Sequence, residues 1–223
     1  MAPALFEFLL IDFRPQSDLM FWDQLNRSIA GANRDGRWIC LVVGCAENIE
    51  RVLLQSGYST ERSEMDELDL PSGVSEKLDI VLREEKHRIS TQLTDEGVAA
   101  VGMMAFDRGM VRAMQEGLAV KPNPETRLWQ APGVVPVVMS VVKDETGRLI
   151  DVHPIRLCLE LSKSWPNNAK FSVLCHHGDL RQLKSPLSMN DEALKQLLRL
   201  GSVSPRLENA HNRANWSIIS PKF

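Results

Sequence analysis

The segment Cys175-His176-His177-Gly178-Asp179 gathers a thiol, two imidazoles and a carboxylate in one short stretch, the residue types that bind zinc or nickel. It follows an apolar run, and α/β sheets place their sites beyond the carboxyl ends of such strands. Adjacent histidines at a strand end point to opposite sides, however, and no second ligand cluster accompanies them, so no metal is expected. Cys175 and His176 also lack the reach of a nucleophile and its base, because neighbours in sequence rarely meet that way. The expected role is a polar loop lining a ligand pocket. A second stretch, GVAAVGMMAFDRGMVRA over Gly97–Ala113, ends a helix, runs through an apolar strand and breaks at Asp107-Arg108-Gly109 before turning helical again. That is the outline of an α/β nucleotide- or metabolite-binding unit.

Positioning such groups requires a sheet. Apolar runs recur at Leu5–Ile11, Ile39–Val43, Val98–Met103, Val134–Val142, Phe171–Cys175 and Trp216–Ile219. Between most of them lie stretches of helical period. Ser17–Ala30 puts Met20, Trp22, Leu25 and Ile29 near one face with Gly31 as a stop, and Ala46–Ser56 repeats the pattern before Gly57. Ser72–Thr94 keeps Leu78, Leu82, Ile89 and Leu93 in rhythm while its charges form a solvated face. Ser188–Leu200 has Ser188 as N-cap, Asp191 and Glu192 in the first turn and Gly201 at its close. Residues 135–152 differ, with Asp-Glu-Thr-Gly between two apolar stretches marking a hairpin. His153 before Pro154 fits the start of a further helix, and Lys121–Pro132, with three prolines, is the expected long loop. The pattern predicts a three-layer α/β/α sandwich with a mainly parallel sheet and one β-hairpin insertion, in a single domain over residues 1–223.

Composition narrows the function. The chain has 223 residues, 43% hydrophobic and 25% charged, with a net charge of −3. Its basic residues are scattered and its tryptophans belong to different elements, so nucleic acid is not an expected partner. The N-terminal apolar run is interrupted by Glu7, Asp12 and Arg14, which predicts neither a leader nor a membrane span and points to the cytoplasm. Cys40, Cys45, Cys158 and Cys175 lack C-x-x-C spacing and suit buried, reduced thiols.

In order and spacing the elements resemble the amino acid kinase family, with acetylglutamate kinases the most similar branch. ICLVVGCAENIERVLLQSG over residues 39–57 resembles the family's V-V-V-H-G-G-G-P-E-I strand, glycine turn and helix. Gly97–Ala113 resembles A-V-G-L-S-G-K-D-G-G-L-I-x-A, residues 133–152 resemble the hairpin leading toward the catalytic aspartate, and residues 171–210 resemble the strand ending in T-D and the helix that follows it. The resemblance implies an N-terminal substrate and dimer half over about residues 1–150 and a shortened nucleotide half over about 151–223. It implies a homodimer or a subunit of a larger assembly, a small-molecule ligand, and ATP with magnesium if the chemistry is retained.

Phosphoryl transfer depends on cations and amides around the moving phosphate. Where the family has lysine and paired glycines after its first strand, this chain reads Ile11-Asp12-Phe13-Arg14-Pro15. Proline offers no N–H and phenylalanine blocks close backbone approach. Of the second glycine triplet only Gly44 remains, followed by Cys45 and Ala46; by resemblance these three line the substrate site, with Arg62 as the nearest stand-in for the carboxylate-binding arginine. The N-V-N-A-D aspartate becomes Ile155, and T-D becomes Cys175-His176, so Cys175, His176 and Gly178 take the nucleotide side. Gly102 suits a tight strand end and Gly109 a turn with positive φ. Two readings follow. One is a catalytically degenerate member that binds, regulates or scaffolds. The other is a divergent ATP-dependent kinase of a small metabolite, a carboxylate by resemblance to acetylglutamate kinase, with Arg14, Asp107 and Arg206 in replaced catalytic roles.

Overall fold

The computed structural model describes residues 6–12, 19–63, 67–114, 117–120, 133–163, 169–174, 187–188, 195 and 216–219. A seven-stranded sheet runs in the order β11-β12-β10-β1-β2-β7-β4, formed by Leu187–Ser188, Trp216–Ile219, Ala169–Leu174, Phe6–Ile11, Trp38–Val43, Val134–Met139 and Ala99–Met104 respectively. All of its pairings are parallel except that of β11 with β12. Strand β1 shows why it lies at the centre. Leu9 and Ile11 join one core, against helices α1 (Leu19–Arg34), α2 (Ala46–Gln55) and α3 (Ser75–Asp95), while Phe6, Phe8 and Leu10 join the core beneath α4 (Pro154–Ser162). A strand buried on both faces needs a nearly continuous apolar run, which within β1 only Glu7, itself fully buried, interrupts.

The expected hairpin is present as β8 (Val141–Lys143) and β9 (Leu149–Asp151), paired antiparallel. Asp144 shapes its turn: Oδ1 accepts from the Thr146 hydroxyl at 2.7 Å and from the Thr146 and Arg148 amides at 2.9 Å each. The hairpin belongs to a second, five-stranded sheet, β3-β9-β8-β5-β6, with β3 at Leu68–Asp69, β5 at Val111–Met114 and β6 at Gly117–Val120.

Several local expectations need correction. Val134–Val142 is not one strand. It breaks at Ser140, where the chain passes from the first sheet to the second, and the Ser140 amide still donates to Val43 O at 3.0 Å while Ser140 O accepts from Val152 N. The stretch after Gly109 is strand, not helix, because Val111 and Ala113 are buried while Arg112 and Met114 face out, a period of two. Helix α1 runs through Gly31 and stops three residues past it at Arg34: Gly36 takes φ +79 and donates to Asn33 O, and Arg37 N donates to Ala32 O, a Schellman closure that Gly31 does not make. Gly102 is inside β4 rather than at its end; a Cβ there would lie 2.6 Å from Lys86 Cγ and 3.2 Å from Lys86 O, so it lets α3 approach. Gly109, at φ +69, fills the expected turn. The Ser188 proposed as an N-cap is in β11, and apart from Lys195, which is helical, the rest of that helix lies outside the described residues. Among the described residues no helix is long and apolar enough to cross a membrane.

Candidate functional site

Parallel strands β1, β2 and β7 finish side by side, which brings Asp12, Gly44 and Ser140 together beyond their carboxyl ends. The ladder continues one residue further, with Gly44 N donating to Ile11 O at 2.7 Å. Against the bare Cα of Gly44 rests the Asp12 carboxylate: a Cβ on Gly44 would lie 2.0 Å from Asp12 Oδ1 and 3.3 Å from Asp12 Cα. Only glycine admits that contact. Asp12 is itself buried.

A polar chain starts at the head of α2. Cys45 N donates to Ser140 Oγ at 3.2 Å, and Ser140 Oγ donates to Asp151 Oδ1 at 3.5 Å. Asp151 is fully buried at the end of β9, and its Oδ2 accepts from Arg62 Nη2 at 2.8 Å. Arg62 also donates through Nε and Nη2 to Glu50 Oε1 on α2, at 3.2 and 3.1 Å. The network thus leaves α2 at its first turn and returns to it. Hydrogen bonds strengthen in such a low-dielectric setting, and so does the penalty for breaking one. Among the described residues, the carboxylates of Asp12, Asp151 and Glu50 gather with Arg62 around these strand ends, an environment that disfavours an incoming anion. Nearby, His153 caps α4: Nδ1 accepts from Ile155 N at 3.1 Å, which makes Nδ1 the unprotonated nitrogen, and Pro154 occupies the first turn where its missing N–H is harmless.

No family model matches the sequence, and no curated protein is similar to it by sequence. Solved structures are similar in shape. N-acetylglutamate synthase from Neisseria gonorrhoeae, in complex with coenzyme A and N-acetyl-glutamate, matches with a TM-score of 0.69 at 11% identity, over 98% of this chain and 55% of the synthase. An isopentenyl phosphate kinase matches at 0.56 and 14% identity, over 98% of this chain and 92% of its own. Aspartate kinase from Synechocystis matches at 0.60 and 12% identity, over 99% of this chain and 41% of the kinase. The chain has the amino acid kinase fold. At these identities the likeness extends to architecture, and the chain spans little more than half of the synthase.

Within this amino acid kinase fold, the structure gathers Gly44, Cys45, Ala46 and Arg62 around the same strand ends. Asp107 stands one strand further along, after β4, where its Oδ2 accepts from Met104 N at 2.8 Å and closes a turn in which Arg108 takes a left-handed φ of 53. Arg14, Arg206, Cys175, His176 and Gly178 lie outside the described residues, as does the rest of the Cys175–Asp179 segment. Sequence reasoning missed Asp12, Ser140 and Asp151 as partners in the site. Asp12 carried a signal, a polar residue directly after an apolar run at the end of a parallel strand, whereas Ser140 sits inside the run Val134–Val142 and Asp151 ends the antiparallel strand β9. Of the four cysteines, Cys40, Cys45 and Cys158 are buried thiols, as expected, and Cys175 lies outside the described residues; burial pushes the Cys40 and Cys158 thiols far up, the latter helped by Cys40 nearby.

Proposed function

We propose that this chain is a catalytically degenerate protein of the amino acid kinase fold, acting as a small-metabolite-binding, regulatory or scaffold subunit. The observation that carries the reading is the Asp12 carboxylate seated on Gly44. A phosphate needs bare backbone and free donors there, and it would meet a buried carboxylate instead. Three further donors there are also engaged, Gly44 N by Ile11 O, Cys45 N by Ser140 Oγ, and Arg62 by Asp151 and Glu50. The divergent-kinase alternative would call on Asp107, whose carboxylate is tied to the Met104 amide.

The proposal includes one domain, a cytoplasmic setting, which buried reduced thiols suit, and a homodimer or larger assembly. Edge strand β4, AAVGMM, supports assembly: it has no charge and no proline, and Val101 is exposed. Calorimetric titration with Mg-ATP is expected to give no saturable heat at millimolar nucleotide. Micromolar binding would overturn the reading in favour of the divergent kinase.

A further inference from the structure

In a hollow of about 490 Å³ beside the C-terminal half of α1, near the opposite ends of the strands, the arginines already face carboxylates: Arg27 Nη2 lies 2.9 Å from Asp23, and Arg37 is paired with Glu7. The turn after β4 is different. Strands β5 and β8 pair in parallel with Arg112 opposite Lys143, so two cations stand side by side on one face of the second sheet. Both heads lean toward the same turn. Lys143 Nζ lies 4.3 Å from the centre of the Phe106 ring, and a Cβ on Gly109 would lie 3.9 Å from Arg112 Nε and Nη2. Arg108, exposed within that turn, adds a third positive charge. We propose that Arg108, Arg112 and Lys143 together bind the carboxylate of a small organic acid, at a place separate from the cleft beyond β1, β2 and β7.

Like charges set opposite each other in a sheet repel, and a bound anion removes that cost. Among the described residues no carboxylate comes within ion-pairing distance of these three cations. The carboxylates beside them in the chain are spent elsewhere, Asp107 on the Met104 amide and Asp144 on Arg148, while Glu145 is exposed in the hairpin turn. Arg108 is also the one non-glycine residue among those described with a positive φ, a conformation that costs a bulky side chain about 1 kcal/mol or more.

The backbone favours a carboxylate over a phosphate. Gly109 N donates to Phe106 O at 2.9 Å, Met110 N to Asp107 O at 3.1 Å and Met104 N to Asp107 Oδ2 at 2.8 Å, so these amides do not form the cradle that phosphate loops use. Recognition falls to the side chains, and the planar fork of an arginine matches the two oxygens of a carboxylate. Met114 shares the face of Arg112 two residues along β5 and is 45% exposed, which offers apolar surface to the carbon skeleton of the acid.

Heteronuclear NMR on the full chain at low ionic strength, titrated with succinate, reads both affinity and place. Saturable shifts are expected at Gly109, Arg112 and Lys143 with Gly44 and Cys45 unmoved, which keeps the outcome separate from that of the nucleotide titration. Arg112→Gln and Lys143→Gln should each weaken binding by about fivefold or more, whereas Arg27→Gln, which removes the same charge beside the hollow, should leave it unchanged. Arg108→Gly keeps the left-handed turn, so it should hold or raise the melting temperature while weakening succinate binding. Circular dichroism checks that each variant keeps the fold. Absence of saturable shifts at millimolar succinate, shifts centred on Gly44 and Cys45, an equal loss in Arg27→Gln, or inorganic phosphate binding as tightly as succinate would overturn the proposal.

Discussion

The carboxyl ends of β1, β2 and β7 and the hollow beside α1 lie at opposite ends of one sheet, and they treat their polar groups differently. At the strand ends the molecule answers itself: Asp12 covers Gly44, Ser140 takes the Cys45 amide, and Arg62 is held between Asp151 and Glu50. Beside α1, Arg27 faces Asp23 and Arg37 faces Glu7, while Asp35 is exposed on the wall of an open hollow. An open α/β sheet, whose usual place for ligands is beyond the strand ends, can therefore fill that cleft by internal pairing. Architecture alone does not assign function.

The largest effect should come from cutting the closed end. Asp151→Ala takes from Arg62, itself only 13% exposed, its fully buried carboxylate partner, and removal of one partner from such a buried pair costs about 3 kcal/mol. Urea denaturation reads this, and a loss well under that figure would mean the network is loosely held. A smaller effect separates the glycines of the two regions. Gly44→Ala drives a methyl into the Asp12 carboxylate and should destabilise by about 1–3 kcal/mol, much of it recovered when Asp12→Ala is added. Gly31→Ala meets open space and should stabilise by about 0.5–1 kcal/mol. If both substitutions moved stability in the same direction, the contrast between the two ends would fail.

The smallest effect belongs to the hairpin that carries Asp151 to the closed end. The Thr146 hydroxyl, aided by the Arg148 and Thr146 amides, holds the Asp144 carboxyl below its ordinary range. A lowered folded pKa contributes stability that is complete above the unfolded value and lost as pH falls through the folded one. The protection factors of the Thr146 and Arg148 amides, exchange rates corrected for the intrinsic pH dependence, should therefore fall only in that acid window, and Asp144→Asn should flatten the dependence.

Much of the scaffold was legible because it rests on local pattern. β1 reads as a strand because every residue from Phe6 to Ile11 is buried, and α2 because Ile49, Val52 and Leu53 share a face. Of the second sheet only the β8–β9 hairpin was, because the other strands are two to four residues long and owe their state to partners far along the chain, as Leu68 does to Asp151. Gly44, Cys45 and Arg62 could be placed near one another by resemblance, but no spacing reveals that Arg62 meets a carboxylate 89 residues later. Gly31 misled for a related reason: the stop depends on a positive φ, and only Gly36 adopts one there.

The most direct measurement is a crystal structure of the protein soaked with the magnesium complex of a non-hydrolysable ATP analogue. The account predicts the Asp12 carboxylate still lying on Gly44 and Cys45 N still bonded to Ser140, with no triphosphate between them. An ordered triphosphate against Gly44 and Cys45, with Asp12 swung aside, would contradict it.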